Sequence, residues 1–499
     1  MDGGRQDDND RPTPEAPEPP APPPGAAGTQ GRDGSPDDAA SQSGSAPGPP
    51  PQDATPHARG AAVKRGLERL RTAIAAGPPA GPTRPEFWRS PIRGPWLTAV
   101  FGLTLLCAVT VLFVTGLLSY AAYSPDLARV NDQTPDKGLL GFYLFTWPTS
   151  PYWGYRLSQG VHVTLGIALI PVLLAKLWSV IPKLFEWPAV RSVSHALERL
   201  SLLLLVGGAG FEFATGVLNV QLHYIFPGSF YVLHFYGAWV FISAFVVHVV
   251  FRLRRAVIAV VKGPRAEERH PPRPVDGPLR PDGMGLTSPR PADPTISRRG
   301  AVLLVGAGSA ALLLVTMGQS IGGWMRKTAL LAPHSQDPGT GPNGFQINKT
   351  AASLGIRPSD IGPAWRLTVR AGGRQTVLTR DELYALPRRT AELPIACVEG
   401  WSTSDQRWGG VRLVDLAALV GLTEDVPQVL VESVQRGGSF SSVVLAANQV
   451  RDTRSLLAVE VNGAVLSHDH GYPARIIVPN APGVHNTKWV TRLTFGEPA

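Results

Sequence analysis

Apolar and polar positions divide the chain into three kinds of stretch. Residues 1–61 are mainly Pro, Gly, Ala, Ser and Asp, with almost no large apolar side chain. Such a stretch cannot bury enough surface to offset its chain entropy, which predicts a disordered cytoplasmic tail. A basic juxtamembrane segment, 62–94, follows; its run 64–71 (KRGLERLR) suits a helix on a membrane surface and a solvated helix equally well. Five apolar runs come next, at 96–122, 159–181, 197–220, 230–253 and 301–321. Each is long enough for the ~30 Å hydrocarbon layer of a bilayer. From residue 345 the runs shorten and become β-rich, at 365–369, 376–378, 429–433, 443–445, 458–461, 475–478 and 489–495. Turn residues such as Gly372-Gly373 and Asn462-Gly463 separate them, and helices are expected at 380–386 and 413–420. The pattern predicts a multidomain membrane protein. An all-α transmembrane four-helix bundle spans 95–255, a Pro/Arg-rich cytoplasmic linker 256–300, a fifth transmembrane helix 301–321 and an α+β domain 345–499.

Charge orients this arrangement. Arg84, Arg89 and Arg93 precede the first run, and Lys183, Arg191 and Arg199 lie between the second and third. Arg252, Arg254, Arg255, Lys262, Arg265 and Arg269 follow the fourth, whereas 123–158 and 221–229 carry few basic residues. The positive-inside rule then places the N-terminus in the cytoplasm and, after five crossings, the α+β domain outside. The net charge of +9 reads as these topology signals and not as a nucleic-acid face. Ser297-Arg298-Arg299, just before the fifth run, resembles an internal twin-arginine export signal and fits a plain pair of anchoring charges as well. There are two cysteines, Cys107 in an apolar run and Cys397 in the polar third, so no disulfide framework is expected. The absence of CxxC excludes thiolate-rich zinc and iron–sulfur sites.

Histidines carry the first candidate chemistry. His162 begins the second run and His195 precedes the third; His234 and His248 lie on the fourth, 14 residues apart. That spacing is close to four turns, so His234 and His248 share one face, ~21 Å apart along the axis. At matching depths His162 can meet His234, and His195 can meet His248. Ionisable residues inside spans are costly, and this arrangement suits axial ligation of one or two b-type haems in a bundle core. An interfacial histidine is often only a hydrogen-bonded surface residue, which His195 and His223 also fit. Gly160, Gly166, Gly207, Gly208, Gly210, Gly216 and Gly237 suit a flat macrocycle and close helix packing alike. The stretch 155–180 (YRLSQGVHVTLGIALIPVLLAKLWSV), with the later His234, Ala238-Trp239 and His248, resembles membrane b-type cytochrome subunits over about 96–255. The first run holds no histidine, so a second haem depends on His195. Glu212, deep in a span, suits proton relay at a quinone site or a structural hydrogen bond. Lys176 suits snorkelling, and Arg156 either a haem propionate or an interface anchor.

The second candidate is Cys397. A lone cysteine is usually a small buried hydrophobe. Here it sits in Ala396-Cys397-Val398-Glu399-Gly400-Trp401-Ser402, followed by Trp408-Gly409-Gly410-Val411-Arg412-Leu413. Downstream lie His470-Gly471-Tyr472-Pro473-Ala474-Arg475, then Gly483, Lys488 and Trp489. These segments, in this order, resemble the sulfite oxidase family. The resemblance implies a molybdopterin cofactor with Cys397 as the molybdenum ligand, and a soft thiolate suits a metal already bound by sulfur. It also implies cofactor contacts from Asn348, Ser433, His470 and Arg475, with Asn486, Thr487 and Lys488 cradling the phosphate. Arg475 and Lys488 supply the positive charge a phosphate needs; as plain surface charges they would be solvated. Arg407 and Arg436 are candidates for substrate binding. The resemblance stops at Phe495, without the C-terminal β-sandwich through which dimeric sulfite oxidases associate. That is nearer the monomeric bacterial molybdoprotein that reduces methionine sulfoxide, whose partner is a membrane b-type cytochrome.

The expectation is therefore a monomeric, multi-pass membrane molybdenum oxidoreductase exchanging electrons through haem b with the quinone pool. Quinol-driven reduction of a methionine sulfoxide-type or other small substrate outside the membrane is favoured. Oxidation of sulfite or a similar anion, with electrons passing inward, stays open, as does a non-catalytic, membrane-tethered binding module. No nucleic-acid partner is expected.

Overall fold

The computed structural model describes residues 75–131, 145–188, 192–220, 230–264, 290–332, 339–438 and 441–496, with scattered positions between 64 and 72 and at 190, 286 and 288. Residues 1–71 and 72–499 form two compact units. In the first, the described positions 64–66 and 68–69 are helical. The tail 1–61, His223 and most of the linker lie outside the described residues.

The apolar runs become helices. They are α1 (Pro95–Ala122), α2 (Gly154–Ala168), α3 (Ile170–Leu184), α4 (Val193–Asn219), α5 (Phe230–Lys262) and α6 (Arg298–Ile321). The second run is two helices because the chain bends by 42° between α2 and α3. Pro171, in the first turn of α3, has no N–H to give and its ring crowds the carbonyl four residues earlier. Side chains cap two starts: Ser192 accepts from the His195 N–H and Ser297 from the Gly300 N–H. Four helices are long and apolar enough to cross a membrane, five if the bent pair counts as one. Leu97, Phe101, Leu105, Val172, Ala209 and Phe241 pack between them. Their outer faces stay apolar and bare: Phe251 is 74% exposed, Leu303 73% and Val261 81%. Arg298 donates to the Ile92 and Pro91 carbonyls, tying the start of α6 to the chain ahead of α1.

The C-terminal part holds two five-stranded sheets. In the first, β1 (Arg366–Ala371), β2 (Arg374–Thr379), β5 (Val429–Ser433), β6 (Ser442–Leu445) and β10 (Val490–Phe495) run in the order β2-β1-β10-β5-β6. Only β1 and β10 are parallel in it. In the second, β3 (Arg389–Leu393), β4 (Gln406–Arg412), β7 (Leu456–Val461) and β8 (Ala464–Val465) follow one another, and β9 (Arg475–Ile477) pairs with β7. Helices α7 (Arg380–Ala385), α8 (Leu413–Ala418) and α9 (Ala447–Arg451) complete it. Leu367, Leu383, Val411, Leu457, Ile476 and Leu493 form its main core. All seven expected β runs are strands. β3, β4 and β8 were not expected. β4 hides behind its glycines: a Cβ on Gly410 would lie 2.2 Å from the Leu457 carbonyl oxygen, so only glycine lets β4 and β7 approach.

This domain sits directly on one end of the helices. Ala121, Ala122, Trp147 and Tyr155 pack against Ala396. Asn131 and Val444 bond in both directions, at 2.8 and 2.9 Å. Asn480, in the left-handed region at φ 54°, receives the Trp147 indole N–H on its carbonyl and the Tyr155 N–H on its side chain. The residue ahead of Cys397 is thereby packed on the helical part of the molecule.

Candidate functional site

Cys397 opens a tight turn. Its N–H donates to the Trp401 carbonyl at 2.9 Å, and the Gly400 N–H donates back to the Cys397 carbonyl at 3.0 Å. Gly400 holds φ 86°, which glycine adopts at no steric cost. Ala396 bridges to Ser402 on one side and Pro482 on the other, so the turn is clamped between two segments. The thiol is buried, and burial, helped by the Glu399 carboxylate, pushes its pKa well above the ordinary value. The free thiol is therefore protonated at neutral pH, and a soft metal would displace that proton.

Cys397 lines a partly open cleft. Asn348, His470, Arg475, Asn486, Thr487 and Lys488 line it too, so seven of the eight residues implied for this cofactor converge on one cavity. Ser433 is the exception. Its hydroxyl donates to the Lys488 carbonyl at 2.7 Å and accepts the Gln435 N–H at 3.1 Å, so it braces the wall from behind. Asn348 accepts its neighbour Lys349's N–H within the turn. Asn486 and Thr487 take the Val478 and Ile476 N–H groups, fixing the loop beside β9.

The cleft is electrostatically unbalanced. Arg475 is 4% exposed; its guanidinium donates to the His470 and Asn486 carbonyls, and its Nε finds no partner among the described residues. The Lys488 ammonium donates only to the Lys349 and Asp469 carbonyls. Burial lowers the pKa of both, Arg475 to about 9 and Lys488 to about 7, and pushes His470 down to about 4. Arg475 also lies 5.2 Å from the Trp408 ring and Lys488 4.7 Å from the Trp489 ring, and the Asp469 carboxylate acts on Lys488 without bonding its ammonium; buried cations with no directly bonded carboxylate among the described residues form a site for an anion. Among the described residues Gln346 finds no partner for either of its amide atoms, and Gln435 none for its carbonyl oxygen. These orphan polar atoms line the same cavity and fit a ring system with many donors and acceptors plus a phosphate, which is what a molybdopterin offers. Gln346, Gln435 and Lys349 were missed in the sequence, since no spacing or residue type marks them, whereas Trp401 was marked as part of the Cys397 segment without a role. Arg407 and Arg436 do not line the cleft.

The histidines meet as a pair. The His162 and His234 ring centroids lie 6.1 Å apart, with the ring planes nearly perpendicular at 88°. His162 Nδ1 lies 3.0 Å from the Leu112 carbonyl, which only accepts, so Nδ1 carries the proton. His234 Nδ1 lies 3.0 Å from the Thr215 hydroxyl, itself donating to the Phe211 carbonyl, and 3.2 Å from Glu212. With each Nδ1 bonded, Nε2 carries the lone pair of each ring, as in metal-bound imidazoles. Two metal–imidazole bonds of about 2 Å each, plus the depth of two rings, come to about 6 Å. Gly116 and Gly216 make room, since a Cβ on either would press on the Cε1 of His162 or His234 at 3.2 and 3.3 Å. Among the described residues no group of three or more His, Cys, Asp or Glu could hold a metal ion. Such a group supplies three ligands, whereas a haem iron takes only two from the protein.

The other expected residues lie elsewhere. His195 is in the first turn of α4, its N–H on Ser192. His248 has the cations Lys176 and Arg252 as neighbours. Lys176 bonds the Thr98 carbonyl. Arg156 donates to the Ser320 and Ile321 carbonyls and lies near Asp405, so it anchors the end of α6.

Residues 355–498 match the family model described as the oxidoreductase molybdopterin binding domain. The chain is similar to mitochondrial sulfite oxidase of Drosophila melanogaster, 30% identical over 167 residues, 28% of each chain. It is similar to mitochondrial sulfite oxidase of Homo sapiens, 32% identical over 147 residues, 25% of this chain and 27% of that one. The uncharacterized oxidoreductase YuiH of Bacillus subtilis is 31% identical over 119 residues, 24% of this chain and 58% of the other. The chain thus spans under a third of the two sulfite oxidases, and the matched stretches leave most of the chain, including most of the helical part, uncovered.

Proposed function

We propose, from the premise that residues 355–498 are a molybdopterin-binding oxidoreductase domain of the sulfite oxidase family, that the whole chain is a membrane-bound molybdenum oxidoreductase. The carrying observation is the cleft that joins Cys397 to the uncompensated cations Arg475 and Lys488. Cys397 would hold the molybdenum; Arg475, Lys488 and the Asn486–Thr487 loop would hold the cofactor's phosphate. When bound, that group supplies two-electron oxygen-atom transfer to or from a substrate. The residues' own part is to bind, orient and keep water out: the Cys397 turn fixes the thiolate, and Ser433 fixes Lys488.

The bare apolar faces of the helices support their insertion in a bilayer, with the α+β domain on the outer side and the N-terminus in the cytoplasm. The His162–His234 pair supports one b-type haem beneath the domain. A second, on His195 and His248, has no comparable geometry behind it. Electrons would be exchanged with the quinone pool, and quinol-driven reduction of a sulfoxide-type substrate is the favoured direction. The cationic cleft and the similarity to sulfite oxidases favour a second reading, oxidation of sulfite or a similar anion with electrons passing inward.

A visible spectrum of the purified full chain, taken anaerobically, separates these. Haem bands that reduce with a menaquinol analogue and reoxidise on methionine sulfoxide establish the reductase. Bands that reduce on sulfite alone make it an oxidase, and absence of haem bands removes the cytochrome part of the proposal.

A further inference from the structure

The turn that carries Cys397 is held by the helices as much as by its own domain. Gln159, on α2, donates its side-chain amide to the Val398 carbonyl. The Ser320 hydroxyl, at the end of α6, donates to the Gly400 carbonyl. Ser402 returns both of its donors to the same helix end, its N–H to the Gln319 carbonyl at 2.9 Å and its hydroxyl to the Ser320 carbonyl at 2.6 Å. Gly400 lies on Val163 so closely that a Cβ there would come within 2.5 Å of the Val163 Cβ. Gln159 and Val163 flank His162 on one rigid helix. The end of α6 holds Gly400 and Ser402, while the contacts from Gln159 and Val163 belong to the same element, α2, as the His162 imidazole.

We infer that α2 is the common mount of the two sites, and that Gln159 and Val163, with Gly400 opposite, are positioning residues that fix the Cys397 turn against His162. The inference rests on the functional reading above and names the residues that couple its two centres. A continuous route runs from Cys397 through the Val398 carbonyl and its hydrogen bond to Gln159, then three residues along α2 to His162. What crosses it is one electron at a time: one centre is oxidised by one unit as the other is reduced by one, and no atom moves. Both ends are carried by α2, so a change at Gln159 alters the spacing and coupling of the sites without touching either metal ligand.

The test uses the full chain and two variants. Gln159→Leu keeps the volume but cannot donate; Gly400→Ala wedges the turn off Val163. Molybdenum and haem content, the haem spectrum and the molybdenum(V) electron paramagnetic resonance line should match the unaltered chain. The rate of electron transfer between the centres should fall by about 10- to 100-fold, as for a small misplacement of reacting groups. Relaxation of the molybdenum(V) spin by ferric haem should weaken with it. In the cofactor-free chain, alkylation of Cys397, read by peptide mass to separate it from Cys107, should accelerate in both variants. Unchanged transfer rate, spin relaxation and alkylation in both, with both cofactors bound, overturns the inference alone. An unaltered chain that takes up no haem or no molybdenum overturns the functional reading and the inference with it.

Discussion

The cleft around Cys397 and the histidine pair beneath it are both buried and polar, yet they leave different things unsatisfied. In the cleft the excess is charge: Arg475 and Lys488 meet carbonyl oxygens and no carboxylate. At the pair each Nδ1 is already bonded, which leaves the imidazole lone pairs and the buried Oε1 of Glu212 without a partner among the described residues. What is missing tells the ligands apart: the cleft asks for an anion beside a thiolate, and the pair asks for a metal between two neutral imidazoles. The two sites should therefore fail separately. Cys397→Ser should cost more than about 100-fold in oxygen-transfer activity, the scale of losing more than an outer partner of a metal ligand. It should leave the haem spectrum in place. Loss of both signals together would break the comparison at its root.

His234→Ala is the converse case. It should abolish the haem bands while molybdenum content persists. The double change Thr215→Val with Glu212→Leu, which removes both partners of His234 Nδ1 without removing the ligand, should weaken haem retention by about 10- to 100-fold. Haem titration against the purified variants reads both. If that double variant leaves haem retention unchanged, the hydrogen bonds at Nδ1 do not orient the ring and the pair is held by packing alone.

The two regions also differ in how far the sequence revealed them. The helices were legible because length and apolarity alone specify them; only the break at Pro171 adds detail. Seven of the eight cofactor residues implied by the motifs line the cleft, because the Cys397 segment and the stretch from His470 to Lys488 carry residue types in a recognisable order. Gln346 and Gln435 were not, since an amide is informative only once its burial and lack of a partner are known. β4 was not, because Gly409 and Gly410 erase its alternation while making its close approach to β7 possible. The seat of the Cys397 turn on α2 was not, because a bond between Gln159 and Val398 spans 239 positions and has no local signature.

Charge in the cleft gives a prediction with opposite signs for two measurements. Without an anion the Lys488 pKa is lowered by burial to about 7, against ~10.4 unfolded. Below about pH 7 the folded state must carry that ammonium without a counter-ion. Between about 7 and ~10 the unfolded state binds more protons, so the cofactor-free chain should gain stability as pH rises through that window. Phosphate binding should do the reverse and weaken as Lys488 loses its charge. Arg475, also lowered, adds in the same sense at higher pH, and His470 stays neutral throughout. Thermal melts with and without inorganic phosphate, from about pH 6 to about pH 9, read both signs. Lys488→Met should flatten both curves; curves that keep their slopes would move the anion site elsewhere.

The smallest expected effect separates a contact from a brace. The resemblance places Ser433 against the cofactor, whereas the structure places its hydroxyl behind the wall, on the Lys488 carbonyl and the Gln435 N–H. Ser433→Ala removes two hydrogen bonds and leaves the Gln435 N–H without its partner, at a cost to folding of about 1–3 kcal/mol. Cofactor affinity should fall by less than about tenfold, since the cations themselves remain and only their placement loosens, and a factor of ten is about 1.4 kcal/mol. Ser433→Thr, which keeps the hydroxyl, should restore both. The order of the two losses is the informative quantity. A brace loses stability first and affinity second, because its bonds exist before any ligand arrives. A direct contact would lose affinity with stability intact, and that result would move Ser433 from the wall into the cleft.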